Sequence, residues 1–145
     1  MILENIHCLL QFDDRGNLLA LVSKSSGRNY IVKDGCSLFR LTMTEIIENR
    51  VMPGTLALTG DMAEQIDFIQ QSQCVEIDYR NLDGMPVTVK CTIGFMDEEI
   101  HWNILIENKT RFAVSEIEYP VLLFKPYLGS VSYTHLRAHE TAANL

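Results

Sequence analysis

Clusters of basic residues are missing from this sequence. Its 12 Lys and Arg are scattered among 19 Asp and Glu, which gives a formal net charge of −7 and a pI of about 5.0. Binding to nucleic acid or to an anionic membrane surface needs grouped cations that neutralise phosphates. We therefore expect neither nucleic acid nor a membrane as a partner, whereas an uncharged ligand such as a sugar is compatible with this charge.

Long apolar runs and targeting signals are also missing. No apolar run approaches the roughly 20 residues of a membrane-spanning helix, and the opening residues MILEN lack the basic and apolar regions of a secretion signal. The four cysteines form no C-x-x-C pair, which argues against a zinc ribbon; they are Cys8, Cys36, Cys74 and Cys91. We expect reduced thiols and a cytoplasmic location.

Motifs that carry catalysis or hold a cofactor are missing as well. The chain contains no Gly-rich phosphate loop and no Ser or Cys in a nucleophile elbow. His135 and His139 have a spacing that suits two metal ligands on one helical face, but no third ligand accompanies them. We expect no catalytic constellation, no cofactor and no metal in this chain.

What the sequence does contain is period-two alternation of apolar and polar residues. Such alternation is typical of β-strands with one buried face. Within Met85–Phe95 it places Val87, Val89, Cys91, Ile93 and Phe95 on one side. Trp102, the one tryptophan, alternates in phase with Ile100, Ile104 and Ile106, so we predict that it lies in the core and is no exposed platform for a sugar ring.

Turn signals separate these runs. Asp13–Asn17 follows the first alternating segment, Asp83-Gly84 is a hairpin signal, and Asp97–Glu99 lies between the two longest runs. Short strands with turns between them predict an all-β fold, an antiparallel β-sandwich with at most one or two short helices.

Two segments are ambiguous. Asp61–Gln71 fits a helix, because Asp61 and Glu64 resemble a capping box, but it also fits a strand through Ile66 and Phe68. We favour the strand because its neighbours are strands. Thr44–Val51 is predicted to be either a short helical turn or an irregular loop that ends at Met52-Pro53-Gly54.

The last 15 residues differ from the rest. Alternation stops near Val131, and the run VSYTHLRAHET resembles a peptide found where gene fragments run into vector or adapter sequence. We therefore place a sandwich domain, incomplete by this interpretation, at residues 1–130 and treat 131–145 as a foreign or disordered tail. On this interpretation the natural protein continues beyond Gly129.

Three polar residues are the candidates for contact with a sugar. Glu116 and Glu118 alternate on one face of a predicted strand, where they could line a groove, although a polar sheet face explains them equally well. His101 lies on the polar face of the Trp102 strand and could exchange protons beside either carboxylate.

The order of several short motifs resembles a bacterial family. Near the start these are Asn5, Phe12-Asp13, Gly16, Lys24 and Gly27-Arg28, followed by the strand LFRLTM; near the end they are Trp102, Glu107-Asn108 and Pro120. This arrangement, over about Met1 to Gly129, resembles the N-terminal β-supersandwich (galactose-mutarotase-like) domain of bacterial glycoside-hydrolase-like proteins.

The resemblance implies a non-catalytic sandwich of a carbohydrate-active enzyme. The domain would support a catalytic barrel, here the missing C-terminal partner, and would shape the sugar site, with acid and nucleophile supplied by the barrel. No family catalytic motif matches this sequence, so no catalytic residue is carried over. Two alternatives stay open: an aldose mutarotase that uses His101 with Glu116 or Glu118, and an interaction module with no role in sugar chemistry.

Overall fold

Twelve β-strands and one 3₁₀ turn make up the regular structure in the described part of the chain, residues 1–32, 36–126 and 140–144 of a computed structural model. The first six strands are β1 (Ile2–Glu4), β2 (Cys8–Phe12), β3 (Leu18–Ser23), β4 (Arg40–Ile47), β5 (Arg50–Val51) and β6 (Leu56–Thr59). After the 3₁₀ turn (Gly60–Met62) come β7 (Ala63–Gln70), β8 (Cys74–Leu82), β9 (Met85–Met96), β10 (Glu99–Asn108), β11 (Phe112–Glu118) and β12 (Glu140–Asn144).

The strands form three sheets. One has the order β1-β2-β3, and one is centred on β4, with β11 on one side and β5 and β6 on the other. The largest has the order β12-β10-β9-β8-β7. All of these pairings are antiparallel except that of β10 with β12, which is parallel. The predicted all-β, antiparallel fold class is therefore confirmed.

Most of one face of the five-stranded sheet is buried, as the alternation predicts; Phe95 on β9 and Ile66 and Phe68 on β7 are only partly buried. Eleven inward side chains of β8, β9 and β10 are at most 3% exposed; they are Val75, Ile77, Tyr79, Val87, Val89, Cys91, Ile93, Ile100, Trp102, Ile104 and Ile106. Trp102 is therefore a core residue. These residues share one hydrophobic cluster with the inward residues of the other two sheets, such as Leu10, Leu21 and Leu41, which makes the architecture sandwich-like.

Tyr79 links the two layers. Its ring is fully buried and meets Phe39 edge to face at a centroid distance of 5.0 Å. Its hydroxyl donates a hydrogen bond of 3.4 Å to the carbonyl oxygen of Gly16, in the β2–β3 turn. Burial raises the pKa of this hydroxyl, so Tyr79 stays a neutral donor.

The β2–β3 turn is built by polar side chains. Asp13 Oδ1 accepts hydrogen bonds of 2.8 Å from the backbone N–H groups of Arg15 and Asn17. Arg15 Nη2 in turn donates to the carbonyl oxygens of Asp61 (2.7 Å) and Ala63 (3.0 Å). The turn therefore holds the 3₁₀ turn at the entry to β7.

The opposite face of the five-stranded sheet carries an ion-pair ladder. Arg80 on β8 lies 3.8 Å from Asp67 on β7 and 3.7 Å from Asp78 on its own strand. Lys90 on β9 lies 3.3 Å from Glu76 on β8. Cross-strand pairs of opposite charge are typical of a sheet face that meets water.

The two ambiguous segments are both strands. The interpretation of Asp61–Gln71 as a strand is confirmed by β7, and its 3₁₀ turn forms no side-chain cap. Both predictions for Thr44–Val51 are wrong, because β4 runs through Ile47 and turns back into β5. Glu48 and Asn49 have φ values of 50° and 61°. Two successive positive φ values are typical of the two-residue hairpin turn whose twist matches that of the flanking strands.

Most of the predicted tail, residues 131–145, lies outside the described part of the chain, which does not include 127–139 and 145. Within the tail, β12 pairs in parallel with β10, from Trp102 opposite Glu140 to Ile106 opposite Asn144. Backbone pairing of this kind needs no particular sequence, so the foreign origin of 131–145 stays a prediction. All four cysteines are free, as expected for reduced thiols.

The Tyr79–Gly16 contact can be tested with paired glycine substitutions. At Gly16 (φ +78°) an added Cβ would overlap the Tyr79 hydroxyl, whereas at Gly27 (φ +67°) it would meet nothing within 4 Å. Gly27→Ala carries the left-handed backbone penalty alone, about 1–2 kcal/mol. Gly16→Ala carries overpacking as well, so we expect it to be less stable than Gly27→Ala by about 1–3 kcal/mol in urea unfolding. Equal losses of stability in the two variants would show that the Tyr79 side chain can move aside without an energetic cost.

The buried thiol of Cys91 predicts a loss of stability in alkali. Burial raises the pKa of Cys91 far above its ordinary 9.0, although a hydrogen bond with Tyr119 lowers it somewhat. The folded state therefore keeps a proton that the unfolded state loses, and stability falls as the pH rises through 9. From pH 8 to 10 one such thiol costs about 1.4 kcal/mol. We expect Cys91→Ala to lose less stability than the parent over this range, by about 1 kcal/mol; parallel curves would contradict the assignment.

Candidate functional site

An open hollow of about 1050 Å³ lies where the first sheet meets the five-stranded sheet. One wall is the β1–β2 turn with Lys24, which follows β3, and the other is the β9–β10 turn with Glu99 and His101. Gln73, in the β7–β8 turn, completes it. Because these segments are far apart in the chain, only the folded sheets bring them together.

The β1–β2 wall is fixed by Asn5. Its Oδ1 accepts hydrogen bonds of 2.8 Å from the backbone N–H groups of both His7 and Cys8. This Asx turn leaves Ile6 at its tip, 83% exposed on the rim. The wall is also tied to β3, since the backbone N–H of Lys24 donates to the carbonyl of His7 at 2.8 Å and Lys24 Nζ lies 2.6 Å from Glu4 Oε2.

The β9–β10 wall brings an imidazole next to a carboxylate. Glu99 and His101 are two residues apart on β10 and so share a face of the sheet. His101 Nε2 lies 3.3 Å from Glu99 Oε2. Asp97, at the tip of the hairpin, has a φ of 56°, which directs the chain sharply back into β10.

Between the walls, Gly94 allows the β7–β8 turn to lie close to β9. An added Cβ at Gly94 would be 3.0 Å from Cys74 Cβ and 3.3 Å from the carbonyl oxygen of Gln73. That same carbonyl accepts a hydrogen bond of 2.9 Å from the backbone N–H of Phe95. A side chain at position 94 would therefore crowd the two segments where they meet.

The hollow is lined by both apolar and polar side chains, and most of its charged groups are carboxylates. Its lining contains four acidic residues against one lysine, and that lysine already pairs with Glu4. Amide, imidazole and carboxylate groups of this kind can donate to and accept from hydroxyl groups. The arrangement can therefore bind a neutral polyhydroxylated ligand by hydrogen bonds, but its openness leaves it accessible to water.

The structure separates the three residues that the sequence singled out. His101 lines the hollow, while Glu116 and Glu118 are exposed on β11, opposite Thr42 and Arg40 of β4, and do not line it. The carboxylate beside His101 is Glu99, which was not among the predicted candidates, although its spacing of two residues from His101 on the same predicted strand was a usable signal. Sugar contact by any of the three stays a prediction.

Other residues considered for chemistry are not placed as site residues. The rings of Trp102, Tyr30, Tyr79 and Tyr119 are buried, so none of them offers an exposed stacking surface. In the described ranges no group of three His, Cys, Asp or Glu side chains is arranged to hold a metal ion. His135 and His139 lie outside the described residues.

No protein-family model matches the chain, and no curated protein matches it. The described residues also include no helix long and apolar enough to cross a membrane.

Proposed function

We propose that the chain is a non-catalytic sandwich domain of a carbohydrate-active enzyme, of the galactose-mutarotase-like type, which supports a catalytic domain and helps to shape its sugar site. The observation that carries this proposal is the separation of the candidate groups. Glycoside hydrolysis needs two carboxyl groups on either side of the scissile bond. Here Glu116 and Glu118 lie outside the hollow that contains His101, and of the carboxylates inside it Glu4 is paired with Lys24 and Glu99 with His101, while Asp97 and Glu98 both belong to the β9–β10 turn.

The residues behind the family resemblance support a scaffold role. Asn5 builds a turn, Gly16 lies under Tyr79, and Trp102 fills the core. Asn108 organises the turn between β10 and β11: its Nδ2 donates to the carbonyl of Phe112 at 2.7 Å and its Oδ1 accepts from Thr110. Each of these residues has a clear structural task that a sandwich domain requires.

The hollow is where such a domain would take part in sugar recognition. It is formed by turns, which are the parts of a sandwich that a neighbouring domain can approach without disturbing the sheets. Asn5, Gln73 and His101 supply hydrogen-bonding groups there, and Ile6 and Met96 supply apolar contact at the rim.

The proposal predicts sugar binding without hydrolysis. The purified chain should release no product from nitrophenyl glycosides, while titration with free monosaccharides should shift NMR signals of hollow residues. Loss of one hydrogen bond of about 1 kcal/mol corresponds to roughly fivefold weaker binding. We expect His101→Ala to weaken sugar binding by that factor. Glu116→Gln, a change at an exposed residue outside the hollow, is the control and should leave binding unchanged.

Turnover of a glycoside by the chain alone, removed by substitution of Glu116 or Glu118, would contradict the proposal. Absence of any sugar-dependent shift at the hollow would instead favour an interaction module with no role in sugar chemistry.

One observation favours a second candidate, an aldose mutarotase. The 3.3 Å contact between His101 and Glu99 places an acid–base pair in an open hollow that could admit a free sugar. Interconversion of anomers requires proton transfer to and from the ring oxygen, which such a pair can perform.

Polarimetry separates the two candidates. For a non-catalytic domain we expect freshly dissolved α-glucose or α-galactose to mutarotate at the buffer rate, with or without the chain. An acceleration that falls by about 100-fold or more in His101→Asn and persists in Glu116→Gln would replace our proposal with the mutarotase.

A further inference from the structure

The β4–β5 hairpin exposes apolar side chains on both of its faces. Ile46, Ile47 and Val51 are 46%, 47% and 71% exposed. In the strand pairing, Ile46 lies opposite Val51 and Ile47 lies opposite Arg50, so each face carries at least one aliphatic side chain. Surface apolar residues usually occur singly, whereas a group of this kind is typical of a surface that contacts another protein.

The hollow between the β1–β2 and β9–β10 turns also exposes apolar side chains. Ile6, on one wall, is 83% exposed, and Met96, on the other, is 60% exposed. Asp97 and Glu98 follow Met96 in the β9–β10 turn and are exposed as well. Within the described residues neither of these two carboxylates belongs to an ion pair, whereas the other two acidic residues of the lining each lie within 3.3 Å of a basic side chain. The hollow therefore combines two apolar walls with negative charge that is not neutralised.

Arg50 gives the hairpin a positive charge that suits this hollow. It is exposed, and in the part of the chain that the structure describes it forms no ion pair. Glu48 lies in the turn itself and not on the face that Arg50 shares with Ile47. Arginine is enriched at protein interfaces, where its planar guanidinium can hold a carboxylate through two hydrogen bonds.

The hairpin and the hollow lie near opposite ends of β10. Glu99, at the start of this strand, lines the hollow. Asn108, at its end, donates to the carbonyl of Phe112, and Phe112 pairs with Glu45 just before the hairpin. A strand of ten residues spans about 30 Å. The hairpin of a chain therefore cannot enter its own hollow, but it can enter the hollow of another copy.

We propose that this chain binds a second copy of itself head to tail, with the β4–β5 hairpin of one copy seated in the hollow of the next. The two aliphatic faces of the hairpin meet the two apolar walls of the hollow, Ile6 and Met96. Arg50 pairs with Asp97 or Glu98. Because the contact joins two different surfaces, it can repeat and build a ring or an open filament. This inference does not depend on the proposed sugar role.

Sedimentation velocity of the full chain tests the proposal with two defective variants. Val51→Asp damages the hairpin and leaves the hollow intact, whereas Ile6→Asp damages the hollow and leaves the hairpin intact. Met62→Asp is the matched control, because Met62 is 40% exposed and belongs to neither surface. Circular dichroism and urea unfolding establish that each variant keeps the parent fold.

We expect the parent chain and Met62→Asp to form oligomers whose size grows with concentration. Association of each defective variant should be at least about tenfold weaker than that of the parent. A mixture of the two defective variants should form a one-to-one dimer and nothing larger, because only the hairpin of Ile6→Asp and the hollow of Val51→Asp are intact. Arg50→Glu should weaken association by at least about tenfold as well, since it places a carboxylate against carboxylates.

Three results would overturn the proposal. One is a parent chain that stays monomeric up to about 1 mM, a concentration at which even weak specific contacts are populated. Another is association of both defective variants to the same extent as the parent. The third is a mixture of the two defective variants that stays monomeric, which would assign any association of the parent to a symmetric contact between identical surfaces.

Discussion

The burial of one face of the five-stranded sheet is the constraint on which the rest of the structure depends. Eleven side chains from β8, β9 and β10 turn inward and lose nearly all contact with water. At roughly 25 cal/mol per Å² of apolar surface, such a face is the main source of folding free energy in a domain of this size. It also fixes the register, because a slip of one residue would expose every one of these side chains.

Two tyrosines extend this constraint across the layers. Tyr79 meets Phe39 and reaches the β2–β3 turn, while Tyr119 meets Trp102 edge to face at 6.4 Å and donates a 3.0 Å hydrogen bond to the carbonyl of Asn103. Each ring fills core volume and its hydroxyl finds a backbone acceptor, as buried tyrosines require. The layers are therefore aligned by directional bonds as well as by apolar contact.

The sequence predicts the parts of this fold that follow from local alternation. The buried faces of β9 and β10 and the core position of Trp102 are read from period two, whereas the strand at Ala63–Gln70 is inferred from the strands on either side of it. The β4–β5 hairpin is missed because Glu48 and Asn49 take left-handed backbone angles without the Asn-Gly or Asp-Gly pair that announces such a turn. Sheet order and the hollow are missed for a different reason: they join segments such as Asn5, Gln73 and His101 that only non-local pairing brings together.

Native-state hydrogen exchange tests the central role of the buried sheet face most directly. If that face holds the domain together, the paired amides of β8 and β9 exchange only through global unfolding, with the free energy that urea unfolding gives, while amides of the β4–β5 hairpin exchange through local opening at lower cost. Exchange of the β8 and β9 amides as fast as those of the hairpin would contradict the account, because the stability of the domain would then have to come from elsewhere.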